Sequence, residues 1–211
     1  MASTLFRHAL FFIVAIFSRS WIARASDPNI LSDFLAPESS NTPIDANFFT
    51  FTAMRSIFAT NQNPANFTVT KASMKEFPAL DGQSVSMAVL QFPADGVNPP
   101  HTHPRAAELL FVVEGSLEVG FVDTTSKLYS QQTLQTGDMF LFPKGLVHFQ
   151  YNPSAEAQAT AVSAFGSANA GTASLPANLF TAGIADAILA KAFKTDVATI
   201  QKIKAGLGAK A

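Results

Sequence analysis

Through its middle the chain alternates apolar and polar residues with a period of two, the pattern of strands that present one face to a core and one to solvent. Between residues 84 and 92, Val85, Met87 and Val89 share one face, while Ser84, Ser86, Ala88 and Leu90 share the other. Leu117, Val119 and Phe121 alternate with Glu118 and Gly120. Short apolar runs at 109–113, 139–142, 147–151 and 157–165 read as further strands, as does the neighbourhood of Val69. Phe49, Phe51 and Ala53 alternate with Thr50, Thr52 and Met54, so 49–54 is also predicted as a strand. Gly, Pro, Asn and Asp punctuate the series. Residues 61–66 turn around Pro64, 93–100 form a loop, Glu114-Gly115 makes a tight hairpin turn, and 123–127 and Gly137-Asp138 are turns. Many short strands with no helical pattern between them predict an antiparallel sandwich or barrel and argue against a parallel βαβ sheet.

After Ser167 the pattern changes. Residues 167–176 are a small-residue linker. Ile184, Ile188, Leu189 and Phe193 then recur at helical spacing. Thr195 is the expected N-cap of a second helix, with Val197, Ile200 and Ile203 on its apolar side and Lys202 and Lys204 pointing outward. These helices could fold back on the barrel or dock on a neighbour. At the other end, 26–47 is rich in Pro, Asn, Ser and Asp and reads as an extended arm.

Composition narrows the chemistry. With 211 residues the chain fits one domain of ordinary size. It has no cysteine, which removes disulfides, thiolate nucleophiles and cysteine-based zinc sites. Arg7, the apolar run 9–17 and the small-x-small triplet Ala23-Arg24-Ala25 have the layout of a secretory signal peptide. That run is too short to span about 30 Å of hydrocarbon. Cleavage near Ala25 removes Arg7, Arg19 and Arg24, which takes the formal charge from −1 to about −4. A weakly acidic product argues against nucleic acid or an anionic membrane as the main partner. No other stretch is long and apolar enough for a membrane anchor, and the last residues carry no retention signal, so the expected destination is extracellular. Asn66-Phe67-Thr68 is a sequon, which makes Asn66 the expected glycosylation site.

The histidines carry the candidate chemistry. Of four, His8 leaves with the signal peptide and the others fall between residues 96 and 152. His101 and His103 are two apart, so a strand aims both rings the same way. Glu108 opens the next apolar run, and His148 lies on a later strand. Pro99-Pro100 holds the approach to His101 extended. Three imidazoles and a carboxylate form a mixed N/O set that suits Mn, Fe, Ni, Cu or Zn. On an octahedral ion it leaves two positions open; on zinc it could close a structural tetrahedron. The chain has no internal repeat, so one ion per chain is expected.

These residues sit in two motifs. His101 to Gly115 reads HxHx4Ex6G and resembles the first cupin box; Gly137 to Asn152 reads Gx5PxGx2Hx3N and resembles the second. Asn98-Pro99-Pro100-His101-Thr102-His103-Pro104-Arg105-Ala106, Lys127-Leu128-Tyr129-Ser130 and Pro143-Lys144-Gly145-Leu146-Val147-His148-Phe149-Gln150 are similar to the plant germin-like proteins, the germin family of the cupin superfamily. The resemblance implies an all-β fold, a single cupin jelly-roll β-barrel with short C-terminal α-helices. It divides the chain into a signal peptide (1–25), an N-terminal arm (26–66), the barrel with its metal site (67–166) and a helical oligomerisation segment (167–211). It implies one Mn2+, with Fe or Zn less favoured, held by His101, His103, Glu108 and His148. It also implies a homo-oligomer, a hexamer built as a trimer of dimers, in the apoplast or cell wall.

Three departures from the family pattern matter. The arm lacks the family's two cysteines, so Phe34, Phe48 and Phe49 must hold it by packing. The glycine that opens the first box is replaced by Asp95, followed by Gly96. Oxalate-oxidising germins use two pocket asparagines; Asn98 matches one and Asp81 falls at the other, where a carboxylate would repel a dianion. The leading expectation is therefore a manganese superoxide dismutase that yields hydrogen peroxide from a small anionic substrate, in defence or wall remodelling. Its catalytic residues, His101, His103, Glu108 and His148, would act through the metal. Asn98 lies in the substrate pocket, and Phe111, Met139, Phe142 and Phe149 are candidates for an apolar wall. Oxalate oxidase is the disfavoured alternative. The other is a non-enzymatic structural, storage or defence protein whose metal is a staple.

Overall fold

The structure is a computed structural model that describes residues 27–36, 44–59 and 64–208. The expected signal peptide lies outside the described residues. Among the described residues ten strands form two five-stranded antiparallel sheets. The first has the order β1 (Thr68–Ala72), β2 (Ser86–Phe92), β9 (Ala159–Phe165), β4 (Glu108–Glu114) and β7 (Met139–Phe142). The second runs β10 (Ala173–Ser174), β3 (Val97–Thr102), β8 (Val147–Tyr151), β5 (Ser116–Val122) and β6 (Leu128–Gln135). The inner faces meet around Phe92, Leu110, Val112, Leu117, Val119, Phe142 and Ala161, all fully or almost fully buried. Burying a side chain of the size of Leu or Phe contributes about 1.5–3 kcal/mol, so this cluster supplies much of the stability. The jelly roll expected from the sequence is present, with helices α2 (Leu175–Phe180), α3 (Asp186–Ala192) and α4 (Val197–Gly206) at its C-terminal end.

Several local expectations are corrected. Glu114-Gly115 does not close a hairpin: β4 pairs with β7 and β9, while β5 pairs with β6 and β8. The chain changes sheets there. Gly115 has φ +78°, and a Cβ on it would lie 2.7 Å from the Gln158 carbonyl, so only glycine makes the corner. Residues 49–54 are turns and irregular backbone before the short helix α1 (Arg55–Ala59). Their alternating phenylalanines serve the arm instead: Phe34, Phe48 and Phe49 pack on one another and Phe51 stacks on Phe77. The second half of the 93–100 loop is strand β3. Its register against β8 shifts between Asn98 and His101, where Pro99 and Pro100 have no N–H to give to a ladder. Strand β6 escaped the sequence pattern because from Ser130 to Gln135 both of its faces are polar except at Leu134, its one buried residue. Asp95 takes the left-handed conformation at φ +56°, its side chain accepts from the Tyr151 hydroxyl at 2.5 Å, and the opening turn forms without the family glycine.

The helices pack around Leu189, Ala190 and Ile200, with Phe180 and Ile184 against them. Asp196, not Thr195, caps α4, accepting the Thr199 N–H at 2.9 Å. Lys204 turns inward and donates to the Ile184 carbonyl and to Asp186, each at 2.6 Å. The arm is tied to the barrel by polar contacts as well as rings. Asp27 accepts from the Ser167 hydroxyl and the Ala168 N–H, both at 2.6 Å. Gln83 donates to the Asp33 carbonyl at 3.2 Å. No helix among the described residues is long and apolar enough to cross a membrane.

Candidate metal centre

Strand pairing assembles the cluster. His101 on β3 lies opposite His148 on β8. His103 follows at the end of β3, and Glu108 is the first residue of β4, opposite Phe142 and Phe165. All four side chains are buried, and one ligand atom from each lies within 4.8 Å of the others.

Each imidazole is oriented from behind. The Nδ1–H groups donate to the carbonyls of Pro99 (2.8 Å), Gly171 and Leu146 (2.9 Å) for His101, His103 and His148 respectively. A carbonyl can only accept, so each neutral ring holds its proton at Nδ1 and turns an Nε2 lone pair to the centre. Those lone pairs meet a carboxylate: Glu108 Oε2 is 3.0 Å from His103 Nε2 and 3.1 Å from His148 Nε2. Acceptors facing acceptors at this distance require a cation between them, either protons or a metal ion. Burial favours the ion. It pushes His101 down to about 4, helped by neighbouring His148, so this imidazole is neutral at ordinary pH. Burial also acts to raise the Glu108 carboxyl, but the close approach of the His103 and His148 rings outweighs it and holds Glu108 below the ordinary carboxylate range. The donor set is hard to borderline with no sulfur, and its buried ligands converge. This is a His3Glu metal-binding site.

The free oxygen of Glu108 is fixed as well. Oε1 accepts from the Ser163 hydroxyl at 2.6 Å and from the Gln150 amide at 3.2 Å. The Gln150 carbonyl oxygen accepts from Asn98 at 2.7 Å, so Asn98 is linked to the carboxylate through one side chain. Among the described residues every buried side-chain N or O has a partner. Sequence reasoning missed Ser163 and Gln150. Gln150 was accessible to it, since it is two residues from His148 and shares its face. Ser163 was not, because only the structure shows β9 beside β4.

His101, His103 and Glu108 open on a cavity of about 270 Å3 that Asn98, Ala88 and Phe165 also line. Phe165 sits edge-on to His103 at 4.8 Å, and Phe142 stacks on His148 at 4.5 Å. Of the expected wall residues only Phe142 touches the site. Phe111 pairs with Met139 on the outer face of the first sheet, and Phe149 lies outside the second, against Gly120. Asp81 is also corrected: it lines a separate hollow with Asp27, Ile30 and Arg105, and no carboxylate from it reaches the metal cavity. Asn66 is exposed just ahead of β1.

Comparison with known proteins agrees with this geometry. Residues 56–201 match the cupin family model. The chain is 59% identical over 191 residues to germin-like protein 9-3 of Oryza sativa subsp. japonica, covering 88% of each. It is 40% identical over 200 residues to germin-like protein subfamily 2 member 2 of Arabidopsis thaliana, covering 89% of this chain and 90% of that one. Among solved structures, an oxalate oxidase superposes with a TM-score of 0.72 at 30% identity, covering 88% of this chain and all of that one.

Proposed function

Since the chain belongs to the germin-like proteins of the cupin family, we propose that it is a secreted manganese protein of the apoplast or cell wall that dismutates superoxide and yields hydrogen peroxide. The observation that carries this reading is the set of three Nε2 lone pairs and one carboxylate converging beside an open cavity. His101, His103, Glu108 and His148 would hold the ion. When bound there, a redox-active divalent metal supplies one-electron chemistry to a small anion. The protein's share is to orient and to exclude. Carbonyl-anchored rings keep their Nε2 atoms aimed, Ser163 and Gln150 keep Glu108 from rotating, and Phe165 and Phe142 keep water from the flanks of the imidazoles. An iron ion would fit the same donors, and zinc would fit them without supplying one-electron chemistry.

Oxalate oxidation is a second reading, and it gains ground. The related oxalate oxidase supports it, Asn98 lines the cavity, and the repulsion expected from Asp81 does not operate there. A thiol mechanism is excluded, because the chain has no cysteine.

The expected division at 25, 66 and 166, glycosylation at Asn66 and assembly into a hexamer complete the proposal. Assembly is supported by apolar surface. Met87, Leu109, Met139 and Leu141 on the outer face of the first sheet are 43–62% exposed, and Ile188 and Phe193 on the helices are at least half exposed.

The test is superoxide dismutation by the purified manganese-loaded protein, against free manganese and a His148→Ala variant. Activity lost with His148 supports the enzyme. No activity in a fully loaded protein, with oxalate oxidation also absent, leaves the metal as a structural staple.

A further inference from the structure

The metal cavity has a charged rim. Lys71 lies on β1 directly opposite Ala88 of β2. Side chains opposite one another in an antiparallel pair leave the sheet on the same side. Ala88 is buried on the inner face, 3% exposed, so Lys71 is directed to the cavity side and lines it. The Lys71 ammonium makes no hydrogen bond or ion pair with any described residue. The carboxylates on the cavity are engaged. Glu76 is turned onto Ser73, accepting from its hydroxyl at 2.5 Å and its N–H at 3.1 Å, and Lys75 lies beside Glu76. Glu108 is tied to His103, His148, Gln150 and Ser163.

We propose that Lys71 is the anion-binding residue of this cavity: it holds a small oxyanion beside the metal site, while Lys75 draws anions to the mouth. The two carboxylates on the cavity, Glu76 and Glu108, are held by other groups, which leaves the exposed Lys71 ammonium at the rim as the cation open to a negative ligand. The cavity volume of about 270 Å3 has room for a superoxide ion or a small carboxylate, and the shared chemistry is one negatively charged oxygen pair. The proposal deepens the metal reading above and rests on it.

Formate is the probe. Calorimetric titration of formate into the manganese-loaded protein at low ionic strength compares wild type with Lys71→Gln, Lys71→Arg and Lys75→Gln. Lys71→Gln is expected to weaken formate about tenfold, the loss of one charge-assisted hydrogen bond. Lys71→Arg keeps it within about twofold, and Lys75→Gln costs about twofold. Manganese content and melting temperature stay unchanged in all three. Equal formate affinity in wild type and Lys71→Gln overturns the proposal, as does failure of the wild type to bind formate. Loss of manganese from Lys71→Gln also overturns it, because the residue would then be a support of the metal site. A wild-type chain that takes up no manganese would instead sink the metal reading. The same titration on the metal-free protein then decides the lysine: dependence on Lys71 keeps the anion site, and independence removes it. Superoxide separates the sources. If its rate constant falls in Lys71→Gln and loses its salt dependence, the oxyanion is superoxide; a formate effect without a superoxide effect assigns the site to an organic acid.

Discussion

On β4 the inward side chains run Glu108, Leu110, Val112, and one step of two residues, about 7 Å, carries the interior from an ionic site to hydrocarbon. The apolar end, with Leu110, Val112, Leu117, Val119 and Phe92, is held by area removed from water. Such packing tolerates exchange of similar volumes. The metal end is held by a closed set of partners: Glu108 with two rings, a hydroxyl and an amide, and each ring with a carbonyl. A network of this kind tolerates little, because removing one member strands another in low dielectric. One end therefore sets whether the barrel stays folded, and the other sets what it holds. Phe142 belongs to both, as a member of the apolar cluster and as the face against His148.

That division is open to measurement. Glu108→Ala should have the largest effect, removing manganese altogether, from about one ion per chain to none by elemental analysis. A variant that kept its metal would mean that the ion sits elsewhere. Acid should act on the same end. His101 is depressed from 6.5 to about 4, so the folded metal-free chain binds its proton less readily than the unfolded chain does. The stability tied to that imidazole is full above about pH 6.5 and is lost as the pH falls toward 4. Glu108 is shifted in the same direction, and its share is present above 4.5 and lost below it. Melting of the metal-free protein should therefore fall steadily below pH 6.5, and His101→Gln should flatten the curve between 6.5 and 4.5. An identical curve in that variant would show the acid response to come from elsewhere.

At the apolar end, Leu110→Ala should cost about 2–5 kcal/mol of stability, a drop in melting temperature of roughly 5–15 °C, while full manganese stoichiometry is kept. Metal lost in step with stability would show that the two ends are one cooperative unit. Ser163→Ala should be the mildest. It leaves Gln150 on Glu108 Oε1, lowers manganese affinity about tenfold in a competition titration with a chelator, and lowers stability by about 1 kcal/mol.

Much of this architecture was legible in the sequence because both signals are short-range. Period-two alternation found β2 and β5, short apolar runs found β4, β7, β8 and β9, and the i, i+2 rule joined His101 to His103. What failed depended on partners distant in sequence. Nothing local says that β4 and β5 enter different sheets at Gly115, since a Glu-Gly corner and a Glu-Gly hairpin look alike until the neighbours are known. The phenylalanines at 49 and 51 alternate as in a strand but face Phe34 and Phe77 rather than a ladder. Polar β6 gave no alternation to read. Asp81 was placed in the pocket by its position along the chain, whereas the Pro78–Leu80 turn carries it to another hollow.

The Asp27 clasp joins residues 140 and 141 positions apart. Two residues beyond it, Arg105 grips the Asn169 side chain, and the next turn presents the Gly171 carbonyl that fixes His103. A chain leaving the ribosome emits Asp27 early and residues 167–171 almost last. Closing so long a loop comes late in folding, after the local pairings have formed. The ligands in the two boxes are therefore synthesised well before one of them acquires its final backing. Metal binding through His103 then belongs to the chain that has finished folding rather than to one still being made.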